Sequence, residues 1–377
     1  MPDRYADLLV VDLLGGIGDL IMVLPVVHAL ARRNPGASLR VLTHEPGAEL
    51  VRGDPAVTEV RTPAHGRPGA EREAVAQALA ERRPDLAVTT TRYDGIPGLL
   101  AASGARCVTD LWRRPPPDEP VGLRYLRILQ AEGLLGADDP HDLARPRVHL
   151  SAAELARGRR LLGECLLADG SFLPASGSTA IARRPPVVLV TGSGMAVKHW
   201  PYWTELIGLL SDRGHPVLIV GRPPTEPDGG AVPYGTAGDA VGGMFLPGAG
   251  LRELAACFAA VADRGGVVVG GDTGPVRLAA AAGAATVGLF GPTSALRYGI
   301  GGGVDLQGLP DCPHRLPTAI TEQPCWWTAR CPLAPDGPPA CMADIPARSV
   351  ADAVTSTSAC IFACVALRWR HGSSSDP

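Results

Sequence analysis

The segment DLLVVDLLGGIGDLIMVLPVVHALARRNPG, residues 7–36, decides the fold. Its first eight positions, residues 7–14, are mostly apolar, which is typical of a buried strand. A glycine-rich turn, GGIGDL, follows, and residues 21–36 then show the apolar periodicity of a helix that ends with a glycine. A strand, a glycine turn and a helix in this order predict the first unit of a parallel α/β sheet.

The same alternation continues along the chain and restarts after an interruption. Residues 39–45 predict a second strand, and residues 74–91 predict a helix followed by a strand. Residues 167–186 are rich in Gly, Ser and Pro without periodicity, which is typical of an interdomain linker. Beyond them, strands and helices alternate again as far as the strand in TVGLFGPT, residues 286–293. The pattern predicts two Rossmann-like units, with ligands at the carboxyl ends of their strands and in the cleft between them.

Composition narrows the class of protein. The 377 residues are 46% apolar and 19% charged, as in a globular protein, and the net charge of −3 without a long basic run argues against a nucleic-acid partner. The acidic start is unlike a secretory signal. Charged residues and glycines interrupt the apolar run at residues 8–27, so we expect no transmembrane segment and a cytoplasmic location.

Lys198 is the only lysine; the other 34 of the 35 basic residues are arginines. Such a bias is typical of a GC-rich genome, for example that of an actinobacterium. Lys198 lies in the loop TGSGMAVKHWP, residues 191–201, after the first strand of the second half. A compact ammonium can follow a moving phosphate, whereas a guanidinium presents a planar fork. Chance placement is the alternative, but the glycine-containing loop favours contact with an anion.

The first glycine turn, Gly15–Asp19, does not match a dinucleotide-binding fingerprint. In a G-x-G-x-x-G register that starts at Gly16, the third glycine would fall at Ile21. Asp19 would also stand where a pyrophosphate sits and would repel it. The spacing leaves two interpretations of Asp19 open: a helix cap or first-turn acid, or a general base aimed into the cleft.

The segment GGDTGP, residues 270–275, lies between a predicted strand and a predicted helix. Glycines after a strand allow the backbone to approach a ligand, and the helix N-terminus supplies free N–H groups for a phosphate. A plain capped loop is the alternative interpretation. Because this segment and Lys198 follow strands of the same half, we expect both at one sheet edge, where they favour an anion site.

The nine cysteines are an odd number, scattered through a long chain, which argues against a disulfide framework. Four of them have spacings of 12, 5 and 9 intervening residues, which include no close pair of the kind that zinc sites use. We therefore predict no metal site, and favour packed thiols or a loop framework, for Cys312, Cys325, Cys331 and Cys341.

Together these segments resemble glycosyltransferase family 9, the ADP-heptose:lipopolysaccharide heptosyltransferases. GGIGDLIMVLPVVHAL is similar to the family's N-terminal Gly-Asp motif, and residues 190–210 are similar to its donor-phosphate loop with K-x-W-P. Residues 246–293 are similar to its central signature, and residues 324–350 to the cysteine-bearing end of the heptosyltransferase II branch. The resemblance covers most of residues 7–355.

The resemblance implies a GT-B fold, in which two Rossmann-like domains face each other across a cleft. It implies an acceptor-binding domain in residues 1–175, a nucleotide-sugar-binding domain in residues 185–350, and a C-terminal helix and tail in residues 351–377. It also implies transfer with inversion at the anomeric carbon, without a metal or other cofactor. The nucleotide-diphosphate sugar is then a co-substrate.

The family's functional residues can be carried over one by one. The resemblance implies that Asp19 is the catalytic base, with Gly16 and Gly18 beside it on the acceptor side. It implies that Lys198 is also catalytic, as the group that stabilises the leaving diphosphate. The donor-binding positions that it implies are Gly192, Ser193, Lys198, Met244, Asp272, Thr273, Gly274 and Arg277.

Arg277 departs from the family pattern D-T-G-x-x-H, which has histidine there. Arginine keeps its positive charge at every physiological pH, whereas histidine can be neutral. The donor therefore stays open between ADP-heptose and a GDP-sugar or other nucleotide-linked sugar.

Residues 59–150 show no pattern that identifies the acceptor. Because actinobacteria generally lack lipopolysaccharide, we expect a secondary metabolite, such as an antibiotic aglycone or an aminocyclitol. A glycolipid of the cell envelope is the alternative. Two other functions stay open. A sugar-nucleotide 2-epimerase fits the GGIGD and K-x-W-P motifs less well, and the joint presence of Asp19, Lys198 and Asp272 argues against an inactive sugar-nucleotide-binding module.

Overall fold

The computed structural model describes residues 4–136, 144–168, 184–220, 244–245 and 250–371. The chain divides into two compact units, Met1–Ser151 and Ala152–Pro377. Each unit holds one parallel sheet with helical connections, so the predicted pair of Rossmann-like units is confirmed. Most of the predicted linker and the end of the predicted tail lie outside the described residues.

The first unit is built on a five-stranded sheet. Its strands are β1 (Asp7–Asp12), β2 (Ser38–Thr43), β3 (Glu59–Arg61), β4 (Leu86–Thr89) and β5 (Arg106–Val108). Its helices are α1 (Ile17–Arg33), α2 (Ala48–Arg52), α3 (Ala70–Glu81), α4 (Ile96–Ala102) and α5 (Val121–Ala131). The strand order is β3-β2-β1-β4-β5, with all pairs parallel. Every residue of β1 is buried, which explains the continuous apolar run at the centre of the sheet.

The second unit is built on a six-stranded sheet. Its strands are β6 (Val187–Val190), β7 (Val217–Val220), β8 (Met244–Phe245), β9 (Val267–Gly271), β10 (Ala285–Phe290) and β11 (Gly303–Gln307). Its helices are α6 (Ala152–Ala168), α7 (Trp203–Asp212), α8 (Leu251–Asp263), α9 (Gly274–Ala281), α10 (Ala295–Tyr298), α11 (Ala340–Ala343) and α12 (Ala347–His371), and short 3-10 helices span Ala196–Lys198 and Ile320–Glu322. The strand order is β11-β10-β9-β6-β7-β8, again with parallel pairs.

Helix α1 begins at Ile17, four residues before the start that the apolar periodicity predicts. Gly16 takes the N-cap position, and its carbonyl accepts the backbone N–H of Asp19 at 3.1 Å. The periodicity overlooks this turn because Gly18, a weak helix former, stands in it. The predicted turn GGIGDL is therefore wrong in its second half, and Asp19 lies in the first turn of a helix.

Helix α6 packs against α8, within the second unit. The two helices approach closely at Gly158, where a Cβ would lie 2.2 Å from the carbonyl oxygen of Ala256. An ion pair between Arg252 and Glu154, at 2.5 Å, spans the same contact. Residue contacts place the division between the units before α6. The first domain that the resemblance implies, residues 1–175, includes this helix.

The core of the second unit anchors the chain that follows β6. Trp200 is buried, and its indole N–H donates to the carbonyl of Ile345 at 2.9 Å. Its ring meets Trp203 edge to face, with centroids 4.8 Å apart. These contacts fix the end of the loop that carries Lys198. Of the helices in the described ranges, none is both long enough and apolar enough to cross a membrane.

Candidate active site

The strand order of each sheet reverses at one point. In the first unit the chain leaves β1 toward β2 and β3, and then returns to the other side of β1 with β4. In the second unit it leaves β6 toward β7 and β8, and returns to the other side of β6 with β9. Ligands of parallel sheets bind where the connections diverge at such a point. The loops after β6 and β9 carry Lys198 and Asp272, so both residues lie beside the reversal of the second sheet.

Lys198 and Asp272 are in direct contact. The ammonium of Lys198 donates to the backbone carbonyl of Asp272 at 2.9 Å and to its Oδ2 at 3.0 Å. The Lys198 side chain is 13% exposed and that of Asp272 is 8% exposed. The structure therefore brings together two residues that the sequence placed on one sheet edge, and it leaves the lysine the more accessible of the two.

The loop around Lys198 packs against Trp326. Val197 is fully buried and packs with Cys325 and Trp326. The ammonium of Lys198 lies 5.4 Å from the centroid of the Trp326 ring, within range of a cation–π interaction. The segment around Trp326, which resembles the cysteine-bearing end of the family, thus takes part in positioning the only lysine.

Arg277 contacts the other carboxylate oxygen of Asp272. It lies in α9, is 7% exposed, and donates from one terminal nitrogen to Asp272 Oδ1 and to the backbone carbonyl of Tyr298. The resemblance implies a donor-binding role for this position. In the structure, one of its terminal nitrogens is engaged by these two protein groups.

The electrostatics of Asp272 follow from these two cations. Burial alone would raise the pKa of its carboxyl, but the charges of Arg277 and Lys198 and their hydrogen bonds hold the pKa well below its usual range. Asp272 is therefore an anion at physiological pH. It serves as the common counter-ion of two basic side chains.

The N-terminus of α9 adds backbone donors to this edge. Thr273 is its N-cap and Gly274 its first residue, and Pro275 at the next position has no N–H to offer. The hydroxyl of Thr273 is buried and makes no hydrogen bond within the described part of the chain. The predicted donor positions Thr273 and Gly274 thus present a hydroxyl and a backbone N–H beside Lys198.

Two other predicted donor positions, Gly192 and Ser193, lie in the loop after β6. Gly192 is exposed, and the Ser193 hydroxyl accepts the N–H of Met195 at 3.1 Å, which shapes the loop. The ring of His199 contacts the carbonyl of Ser193 at 3.2 Å. Met244 lies on β8, and its side chain is outside the described residues.

On the first unit, Asp19 folds back over the N-terminus of its own helix. A Cβ on Gly16 would lie 2.4 Å from Asp19 Oδ2, so this carboxylate position requires a glycine there. Gly18 is the second residue of the helix, directly before the partly exposed Asp19. The structure is compatible with both interpretations of Asp19, as a first-turn acid and as a base.

A second carboxyl near Asp19 was missed by the sequence analysis. Asp12 ends β1 with an exposure of 1%, and its Oδ1 accepts the hydroxyl of Thr90, just after β4. Burial raises the pKa of Asp12 to about 7, against the Thr90 hydrogen bond and with a further contribution from the charge of Asp19. Thr91 fixes the same edge, because its hydroxyl accepts the N–H of Leu13 at 2.9 Å. The signal in the sequence was an aspartate inside an apolar run and three consecutive threonines.

We expect Asp12→Asn to stabilise the protein at pH 8 by a few kcal/mol, since one unit of pKa corresponds to about 1.4 kcal/mol. The pKa of Asp12 is about 7 in the folded protein and 3.8 ordinarily. The folded state therefore holds a proton that the unfolded state has released, and stability is lost as the pH rises from 3.8 through 7. Asparagine has nearly the shape of aspartate but does not ionise, so the stability no longer falls with rising pH.

Urea unfolding at pH 5 and pH 8 measures the effect, with the gain expected to be much larger at pH 8. Asp212→Asn, at an exposed position, is the matched control and should change stability equally at both pH values. An equal gain at both pH values for Asp12→Asn would show that Asp12 does not hold a proton near neutrality.

The four cysteines near the end of the second unit carry free thiols. Three of them are buried, and burial raises the pKa of Cys341 to about 12 and that of Cys325 above its ordinary value. In the ranges that the structure describes, no group of three or more His, Cys, Asp or Glu residues could hold a metal ion. Cys325 packs with Trp326, and Cys341 packs in the same core cluster as Met342.

The sequence model of one family, glycosyltransferase family 9 (heptosyltransferase), matches residues 112–304, just over half of the chain. The chain belongs to glycosyltransferase family 9. It is therefore an enzyme of the heptosyltransferase family. None of the curated protein sequences with which it was compared matches.

Solved structures of family 9 enzymes share the fold. A glycosyl transferase family 9 protein from Veillonella parvula superimposes with a TM-score of 0.67 at 14% identity, over 95% of this chain and 98% of that one. The ADP-heptose LPS heptosyltransferase II of E. coli gives 0.63 at 19% identity, over 94% and 98%. The iron-containing dodecameric glycosyltransferase TibC from enterotoxigenic E. coli gives 0.58 at 14% identity, over 96% and 78%. The predicted GT-B fold class of this family 9 enzyme is confirmed.

Proposed function

We propose that this family 9 enzyme is an inverting glycosyltransferase that needs no metal. It moves a heptose or a related sugar from a nucleotide-diphosphate sugar to an acceptor hydroxyl. The acceptor that we propose is a secondary metabolite, such as an antibiotic aglycone or an aminocyclitol, in the cytoplasm of an actinobacterium. The second unit binds the donor, and the first unit binds the acceptor.

One observation carries this proposal: the ammonium of the only lysine lies at the reversal of the second sheet, bound to Asp272 at 3.0 Å. A partly exposed ammonium beside the free N–H of a helix N-terminus is an arrangement that binds a diphosphate. The ADP-heptose LPS heptosyltransferase II of E. coli shares the fold, which supports the proposal of an ADP-linked donor.

Asp19 is the base in the proposed reaction. Its carboxylate takes the proton of the acceptor hydroxyl as the acceptor oxygen attacks the anomeric carbon. The new bond forms on the face opposite the leaving group, so the configuration at that carbon inverts. Asp19 is partly exposed, with its Oδ2 close to Gly16, and a partly exposed carboxylate can meet a bound hydroxyl.

Lys198 assists the departure of the nucleotide. The bond between the anomeric carbon and the diphosphate oxygen breaks, and its electron pair stays on that oxygen. Lys198 and the backbone N–H of Gly274 stabilise the growing negative charge, with the hydroxyl of Thr273 as a further donor. These groups supply the positive charge that a divalent cation would otherwise provide, and hence we propose metal-independent transfer.

We expect release of nucleoside diphosphate when the purified enzyme is given ADP-heptose and an acceptor, with undiminished activity in excess EDTA. A panel of ADP-, GDP- and UDP-sugars with an aminocyclitol, an aromatic aglycone and a lipopolysaccharide-core acceptor, followed by mass spectrometry, identifies the pair. The coupling constant of the anomeric proton in the product shows whether the configuration has inverted. Loss of activity in EDTA that magnesium, manganese or iron restores would contradict the metal-independent mechanism.

The other functions give different products in the same assay. A cell-envelope heptosyltransferase, the alternative that membership of family 9 favours, would glycosylate the lipopolysaccharide-core acceptor and not the small metabolites. An epimerase would interconvert the sugar of the free donor. An inactive binding module would return every donor intact, although it bound the nucleotide.

A further inference from the structure

Asp272 contacts two cations, Lys198 and Arg277, whose surroundings differ. Both carboxylate oxygens are occupied, with Oδ2 bound to Lys198 at 3.0 Å and Oδ1 bound to Arg277. The carboxylate is 8% exposed, so it has little surface left with which to meet a substrate. Asp272 therefore acts on a bound donor through its partners rather than by direct contact.

Arg277 is more enclosed than Lys198. Its side chain is 8% exposed, against 13% for Lys198, and one terminal nitrogen serves both Asp272 and the carbonyl of Tyr298. Asp305 of β11 also lies within electrostatic reach, and its Oδ2 accepts the N–H of Ile300 at 3.0 Å in the loop that follows Tyr298. One terminal nitrogen of the guanidinium is thus held by the Asp272 carboxylate and the carbonyl of Tyr298.

Building on the proposed function, we infer that Arg277 is a positioning residue for Lys198 and not a ligand of the donor diphosphate. Arg277 pairs with Oδ1 of Asp272 while Lys198 pairs with Oδ2, so the three side chains together carry a net charge of +1. Without Arg277, Asp272 would have Lys198 as its only cationic partner in this cluster. The lysine would then be neutralised and held away from the diphosphate.

If Arg277 acts through Asp272, a second substitution at Asp272 should restore the ADP binding that Arg277→Gln loses. Arg277→Gln leaves Asp272 paired with Lys198 and should weaken ADP binding by about 10-fold or more, the scale of one charge-assisted hydrogen bond. The double variant Asp272→Asn/Arg277→Gln removes one positive and one negative charge and releases Lys198. We expect it to recover most of the loss, to within about 3-fold of wild type, because a buried ion pair can be replaced as a unit at little cost.

The experiment is isothermal titration calorimetry with ADP and with inorganic pyrophosphate at pH 8, above the pKa of about 6 that Asp305 has in the wild type. Donor KM and kcat are measured alongside, and we expect both to move toward wild type in the double variant. A double variant that binds as weakly as Arg277→Gln, or more weakly, would overturn the inference, since direct contact of Arg277 with the diphosphate requires that result. Unimpaired binding by Arg277→Gln alone would overturn it as well.

Two measures separate this test from folding and from the proposed function. Thermal unfolding of each variant shows whether a loss of ADP affinity arises from destabilisation. If Arg277→Gln does not fold, the double variant is compared with wild type instead. A loss of ADP affinity above about 10-fold, the scale of one charged hydrogen bond, then contradicts the inference. If wild type binds neither ADP nor pyrophosphate, both the proposed donor site and the inference fail. If wild type binds and only the rescue is missing, the inference alone fails.

Discussion

Asparagine in place of Asp19 is expected to cut turnover by about 10²–10⁴-fold, the usual contribution of a general base. It should leave the affinity for ADP within about two-fold of wild type, since Asp19 contributes to proton transfer and not to the diphosphate site. Asparagine has nearly the size of aspartate and much of its ability to interact with a helix N-terminus, but it cannot take the proton of the acceptor. Turnover with the best donor and acceptor, and calorimetry with ADP, measure the two quantities separately.

The matched control is Glu205→Gln, which neutralises an exposed acid in the first turn of α7. It tests the loss of a first-turn charge without a catalytic role, and we expect wild-type turnover. Because first-turn acids interact favourably with the helix dipole, both variants should lose a similar small amount of stability. Full activity of Asp19→Asn would leave Asp19 as a first-turn acid alone.

Much of the fold could be predicted because the central strands are buried on both faces. β1, β6 and β9 each contain a continuous apolar run, and glycines end that run or follow it in the next loop. The short outer strands β3 and β8 were not predicted, since three and two residues are too few to show a periodicity.

The candidate site could likewise be predicted only in part from the sequence. Lys198 and Asp272 could be placed on one edge because each follows a strand of the same parallel sheet, and the structure shows them in contact. The pairing of Asp12 with Thr90 could not be predicted, since 78 positions separate them and only the register of β1 against β4 brings them together. The partners of Arg277 were equally hidden, because a buried arginine and a ligand-binding arginine look alike in sequence.

Lys198→Ala is expected to lower turnover by about 10²–10³-fold, the usual effect of removing one group that stabilises a developing anion. It should also weaken ADP binding, because the ammonium lies at the diphosphate site both before and during departure of the leaving group. The buried Asp272 would keep Arg277 as its partner, so the variant should still fold. Calorimetry and turnover, with thermal unfolding as the check on folding, measure these effects.

Lys198→Arg tests whether position 198 requires a lysine and not just a positive charge. The question arises because the chain has 34 arginines and a single lysine. The ammonium fits between the Asp272 carboxylate and the face of Trp326, and a planar guanidinium would form a forked pair with the carboxylate instead. We expect turnover to fall by about 10-fold or more although the charge is kept, since the fork holds the cation on Asp272 and away from the phosphate. Arg213→Lys, which alters an arginine–carboxylate pair with Asp352 at the far end of α7, is the control and should leave turnover unchanged. Full activity of Lys198→Arg would mean that any cation suffices, and that the single lysine reflects composition and not chemistry.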